Sequence, residues 1–121
     1  LEPFFEITLA GLPPTVNHLY RTGRNGQRYK TRAGRAWQKA AAERLRRAWR
    51  REPYAGDVEL RVSLIAADRR KWDIDNRVKA VQDCLQAGGV IVDDRQVWRL
   101  ILERDFGQVA QTRLELYTWG F

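Results

Sequence analysis

Residues 71–85 read KWDIDNRVKAVQDCL, and two periodicities meet in them. Ile74, Val78, Val81 and Leu85 recur at the spacing of an amphipathic helix, and Gly88-Gly89 closes it. At the front, Asp73 and Asp75 stand two residues apart. That spacing puts side chains on one face in extended chain, whereas on a helix they diverge by roughly 200°. A helix over 73–87 is therefore predicted, with Asp73 at or just before its start and the first turn beginning near Asp75. An N-cap role and the positive end of the helix dipole both favour carboxylates there.

Working outward, DVELRVSLI (57–65) is the clearest strand, with Val58, Leu60, Val62 and Leu64 on one face. After the helix comes a short VIVDD (90–94), then strands over Val97–Asp105 and Thr112–Trp119, expected as a hairpin joined by FGQVAQ. Near the N-terminus, Phe4–Leu9 alternates like a strand, and two prolines in GLPPTVN stop it. RTGRNGQRYKTRAGR (21–35) has neither period and reads as a long mobile basic loop. A helix is predicted over 32–51, with Trp37, Ala41, Leu45 and Ala48 at helical spacing and Pro53 ending it. The order β-α-β-α-β-β predicts an α/β fold: a small mixed sheet of about four strands with two main helices, in one domain over 1–121.

Composition narrows the function. Lys and Arg number 22 against 15 Asp and Glu, a net charge of +7, which points to nucleic acid before an anionic membrane. No apolar run reaches a membrane span, and no basic-then-apolar signal pattern opens the chain. One His and one Cys argue against zinc, and the lone Cys84 fits a reducing, cytoplasmic setting.

A surface built only to attract polyanions would not set carboxylates beside Arg69-Arg70-Lys71. One reading is structural: Asp73 caps the helix, and Asp75 pairs with Lys79 one turn on. The other brings Asp73 and Asp75 together with one of Asp93 and Asp94, which follow a short apolar run. Adjacent residues in extended chain point opposite ways, so only one of that pair reaches the others. Three converging carboxylates repel without a cation and suit Mg²⁺ or Mn²⁺. Lys79 then either holds a scissile phosphate or neutralises Asp75. Asp83, two turns from Asp75, is given a surface or supporting role. Arg21, Arg24, Arg28, Lys30 and Arg32 in the basic stretch, with Arg69, Arg70 and Lys71, flank the acids as a phosphodiester would need. His18, Tyr20 and Tyr29 are read as packing residues that could also touch DNA.

The stretch RRKWDIDNRVKAVQDCLQAGGVIVDDRQV (69–97) resembles the signature of the RusA-family Holliday junction resolvases. LPPTVNHLYR (12–21) and TRAGRAWQ (31–38) resemble the same family. The resemblance implies a homodimer that cuts four-way DNA junctions with Mg²⁺, Mn²⁺ being a possible substitute. It places the acidic site on Asp73, Asp75 and Asp94 and the motif's lysine on Lys79. Gln82 stands where an aromatic occurs in the family, and Trp72 where a base does, which bears on junction and sequence preference. Two rival readings are a DNA-binding module or phage regulator without nuclease activity, and a nuclease for other branched DNA.

Overall fold

The computed structural model describes residues 2–120. Its sheet is organised by β4 (Val58–Ala66), whose alternate residues Val58, Leu60, Val62, Leu64 and Ala66 are buried. β4 is paired on both sides. β6 (Gln111–Thr118) runs antiparallel to it, and β5 (Val97–Phe106) parallel, giving the order β1-β6-β4-β5. β1 (Phe5–Ala10) pairs antiparallel with β6 and forms the other edge. The expected mixed four-stranded sheet is present. The expected hairpin is not, because β4 lies between β5 and β6. An apolar strand such as β4 needs both of its edges satisfied in the interior, whereas β5 has seven exposed residues among ten and suits an edge.

Two helices cover one face. α2 (Arg32–Ala48) contributes Ala41 and Leu45, and α3 (Val78–Ala87) contributes Val81, Cys84 and Leu85, all packed on the β4 face with Leu114 and Leu116 of β6. α2 ends three residues before its predicted limit, and Trp49 just beyond it is buried against Phe4 and Phe5. Burial pushes the Cys84 thiol up to about 12, so it serves as a small core residue with an inert sulfur.

The basic stretch is not an aperiodic loop. A one-turn helix α1 (Val16–Leu19) leads into β2 (Tyr20–Thr22), which pairs antiparallel with β3 (Arg28–Lys30). Residues 23–26 make the turn, with the Gly26 N–H bonded to the Gly23 carbonyl at 3.0 Å and Gly26, in the last position, at φ 79°. The strands are too short and polar for periodicity to show them.

α3 ends in a motif that aims the chain at the site. Gly89 takes φ 73°, its N–H donates to the Gln86 carbonyl at 3.0 Å, and the Val90 N–H donates to the Leu85 carbonyl at 3.0 Å. Only glycine adopts that φ without a Cβ penalty. Gly89→Ala is expected to cost about 1 kcal/mol, roughly 4 °C in melting temperature. A melting curve matching the wild type would show that this turn does not depend on glycine.

Candidate active site

Ala67–Ile74 leaves the end of β4 irregularly, and a 3-10 turn at Asp75–Arg77 then leads into α3. Asp75 thus opens the first turn, as predicted, and Asp73 precedes it in irregular chain. Neither structural role proposed for these acids is realised. No side chain caps the turn or the helix, and Lys79 pairs with Asp83. The reason is geometric. A 3-10 turn advances about 120° per residue rather than about 100°, which swings Asp75 off the stripe that carries Lys79 and Asp83. The carboxylates of Asp73 and Asp75 have no hydrogen bond or ion pair among the described residues.

Lys79 and Asp83 form the densest polar group on α3. Lys79 Nζ lies 3.0 Å from Asp83 Oδ1, and Tyr20 Oη donates to Asp83 Oδ2 at 3.2 Å. The hydrogen bond to Asp83 raises the Lys79 pKa above its ordinary value, and the charges of Asp83, Tyr20 and Asp94 add to the effect. Lys79 is therefore an ammonium at neutral pH. Burial, with Asp83, raises the Tyr20 phenol.

The aspartate pair divides its work. Asp93 accepts from the Arg95 peptide N–H at 2.8 Å and from the Arg95 guanidinium at 2.9 Å. Gln96 completes a capping box by accepting the Asp93 N–H, and its amide reaches the Tyr54 and Gly56 carbonyls. The Arg95 contacts hold the Asp93 carboxyl down to about 2. Asp94 acts on both Lys79 and Arg95 through space and meets the Asp93 carboxyl, while its N–H donates to Gln86 Oε1 at 3.2 Å.

Carboxylate oxygens are hard donors of the type that Mg²⁺ and Mn²⁺ take. Among the described residues, however, no three acidic, His or Cys side chains lie close enough together to hold an ion. The donor chemistry fits a hard divalent cation, and the three aspartates are not gathered around one.

The positive charge is concentrated away from the open face of the sheet. There Glu6, Glu59, Glu103, Asp105 and Glu115 outnumber Arg61, Arg99 and Arg113, and several are paired with them. Arg21, Arg24, Arg28 and Arg32 are exposed on and beside the β2–β3 hairpin. Lys30 is committed to Gln38, Arg70 to Asp68, and Arg69 lies over the Phe106 ring at 4.3 Å. Lys71 is exposed immediately before Trp72 and Asp73. The contact between Tyr20 and Asp83 joins residues 63 positions apart, which no sequence spacing discloses. The only signal for Asp83 was its four-residue spacing from Lys79, which Asp75 shared.

A run of three bases thus stands one residue before Asp73 on a basic mixed α/β scaffold. The family model described as "Endodeoxyribonuclease RusA" matches residues 11–117. Among similar curated proteins is the crossover junction endodeoxyribonuclease RusA of Escherichia coli (strain K12), 34% identical over 93 residues, 77% of this chain and 76% of that protein. The protein of that name from Aquifex aeolicus (strain VF5) is 27% identical over 95 residues, 78% of this chain and 75% of that protein. Its counterpart from Enterobacteria phage 82 is 33% identical over 93 residues, 77% and 76% respectively. The chain belongs to the RusA endodeoxyribonuclease family and is a nuclease.

The division of the aspartate pair can be checked without DNA. A carbon-detected NMR titration should place the Asp93 carboxyl midpoint near 2, the value its Arg95 contacts impose, and Arg95→Ala should raise it toward the ordinary range. Because the folded value is depressed, the stability Asp93 contributes is present above the unfolded value of about 3.9 and lost as pH falls through the folded one. An ordinary midpoint in the wild type would remove Asp93 from the cap.

Proposed function

We propose that residues 1–121 act as one endonuclease domain that resolves four-way (Holliday) DNA junctions in recombination and repair. It works in the cytoplasm, as a homodimer making paired symmetric cuts, with Mg²⁺ as cofactor and Mn²⁺ as substitute. The observation that carries this reading is that Asp73 and Asp75 have no hydrogen bond or ion pair among the described residues, with Asp73 one residue beyond Arg69-Arg70-Lys71. The junction as substrate rests on the names of the relatives.

Asp73, Asp75 and Asp94 would hold the cation. When bound, it would activate water and neutralise charge developing on the phosphoryl oxygens. Lys79, kept protonated by Asp83, donates to an oxygen of the scissile phosphate. Lys71 and the hairpin arginines neutralise the flanking backbone. The water oxygen forms one P–O bond as the opposite P–O bond breaks, and the leaving oxygen takes up a proton.

Resolution takes two opposed cuts, and one acidic group per chain supplies one. A two-fold dimer supplies both and matches the symmetry of the junction. The free edge of β5 is a candidate seam, since Leu100 and Phe106 on its helix-side face are 37% and 49% exposed and Trp98, at the register shift, is 62% exposed. An open edge of ten residues with exposed apolar side chains invites pairing with another strand.

The test is cleavage of matched four-way, forked and linear DNAs with and without Mg²⁺. The wild type should cut the four-way junction only with the ion. Asp→Asn at 73, 75 or 94 should abolish cutting while junction binding survives or tightens, because a negative charge beside phosphate is removed. A mutant that cuts at the wild-type rate would remove that residue from the site, and equal cutting of forks would make the enzyme a general branched-DNA nuclease. Sedimentation should show a dimer at micromolar concentration, and an active monomer would exclude the paired-cut arrangement.

A further inference from the structure

Asp83 is bound at both oxygens by residues from different elements. Oδ1 takes the Lys79 ammonium at 3.0 Å and Oδ2 takes the Tyr20 hydroxyl at 3.2 Å, with the Asp83 side chain only 16% exposed. Tyr20 begins β2, and its ring carries the Arg28 guanidinium 4.6 Å from the centroid. A continuous series of contacts thus runs from Arg28 on the hairpin through Tyr20 and Asp83 to Lys79. Helix stability alone does not account for it. A lone pair of this spacing adds little to a helix, and Lys before an acid is the poorer orientation.

We propose that Asp83 is a positioning residue, which fixes the Lys79 ammonium at the acidic centre and ties it through Tyr20 to the DNA-binding hairpin. A free lysine side chain samples many rotamers. An acceptor held from a second element removes much of that freedom before the substrate arrives. Asp83 itself does not touch the phosphate, because Lys79 and Tyr20 occupy its two oxygens. Seating a backbone phosphate on Arg28 bears on Tyr20 and, through it, on the place of Lys79. This inference rests on the nuclease reading and extends it to a residue that is not among the proposed cation ligands.

The experiment is a mutant cycle on the full chain, reading single-turnover cleavage at saturating enzyme and, separately, metal-free junction affinity. Asp83→Asn should slow cleavage by about tenfold or more while the dissociation constant stays within about twofold. Asp83→Glu should restore most of the rate, and Tyr20→Phe should give a smaller loss. In a Lys79→Ala background, Asp83→Asn should cause no further loss, since the two act as one unit. If Asp83→Asn fails to fold, Tyr20→Phe in the two backgrounds decides by the same logic.

A wild-type rate in Asp83→Asn, or additive losses with Lys79→Ala, would overturn the assignment. So would a loss seen only in affinity. A wild type that binds junctions and never cuts would instead overturn the nuclease reading, and the assignment with it.

Discussion

Everything at the site hangs from the demand of β4 for two paired edges. Its alternate residues are buried beneath the helices and its backbone edges lie in the interior, so β5 and β6 must flank it. A parallel partner then requires a crossover, and α3 is that crossover. The irregular chain between β4 and α3 carries Asp73 and opens the turn with Asp75. The return between α3 and β5 carries Asp94. The same pairing that completes the core therefore brings every proposed acidic ligand onto the two ends of one crossover.

The charges are sorted by the same architecture. The open face of the sheet neutralises itself, with Glu59 buried between Arg61 and Arg99 and Glu6 beside Arg113. The excess positive charge falls to the hairpin, α2 and the segment before Asp73. Arg46 also spends part of its charge on structure, donating to the Ala87 carbonyl at 2.9 Å where α3 ends. Tyr20 and Asp83 join the basic hairpin to α3, so Arg28 and Lys79 share one piece of framework.

Much of this was legible in the sequence where one rule acted alone. The alternation of 57–65, the helical spacing of α2 and α3, and the start of the turn at Asp75 all followed from local patterns. The β5–β6 hairpin did not hold, because a short link permits pairing without requiring it, and the choice was made by burial of β4. The β2–β3 hairpin was missed although Asn25-Gly26 is a strong turn signal, since three-residue strands leave no alternation to read. The partner of Lys79 was ambiguous between Asp75 and Asp83, both four residues away. Only the 3-10 geometry at 75–77 separates them, and no spacing rule contains it.

The central claim is that Asp73, Asp75 and Asp94 close on a divalent cation. Thermal melting with Mg²⁺ or Mn²⁺ against NaCl of equal ionic strength tests it most directly. An ion binding only the folded form adds about 2.7 kcal/mol at ~100 times its dissociation constant, worth several degrees. The wild type should gain that stability from the divalent ion and not from NaCl, and Asp75→Asn should gain clearly less. Equal shifts in wild type and Asp75→Asn, or none beyond that of NaCl, would contradict the account.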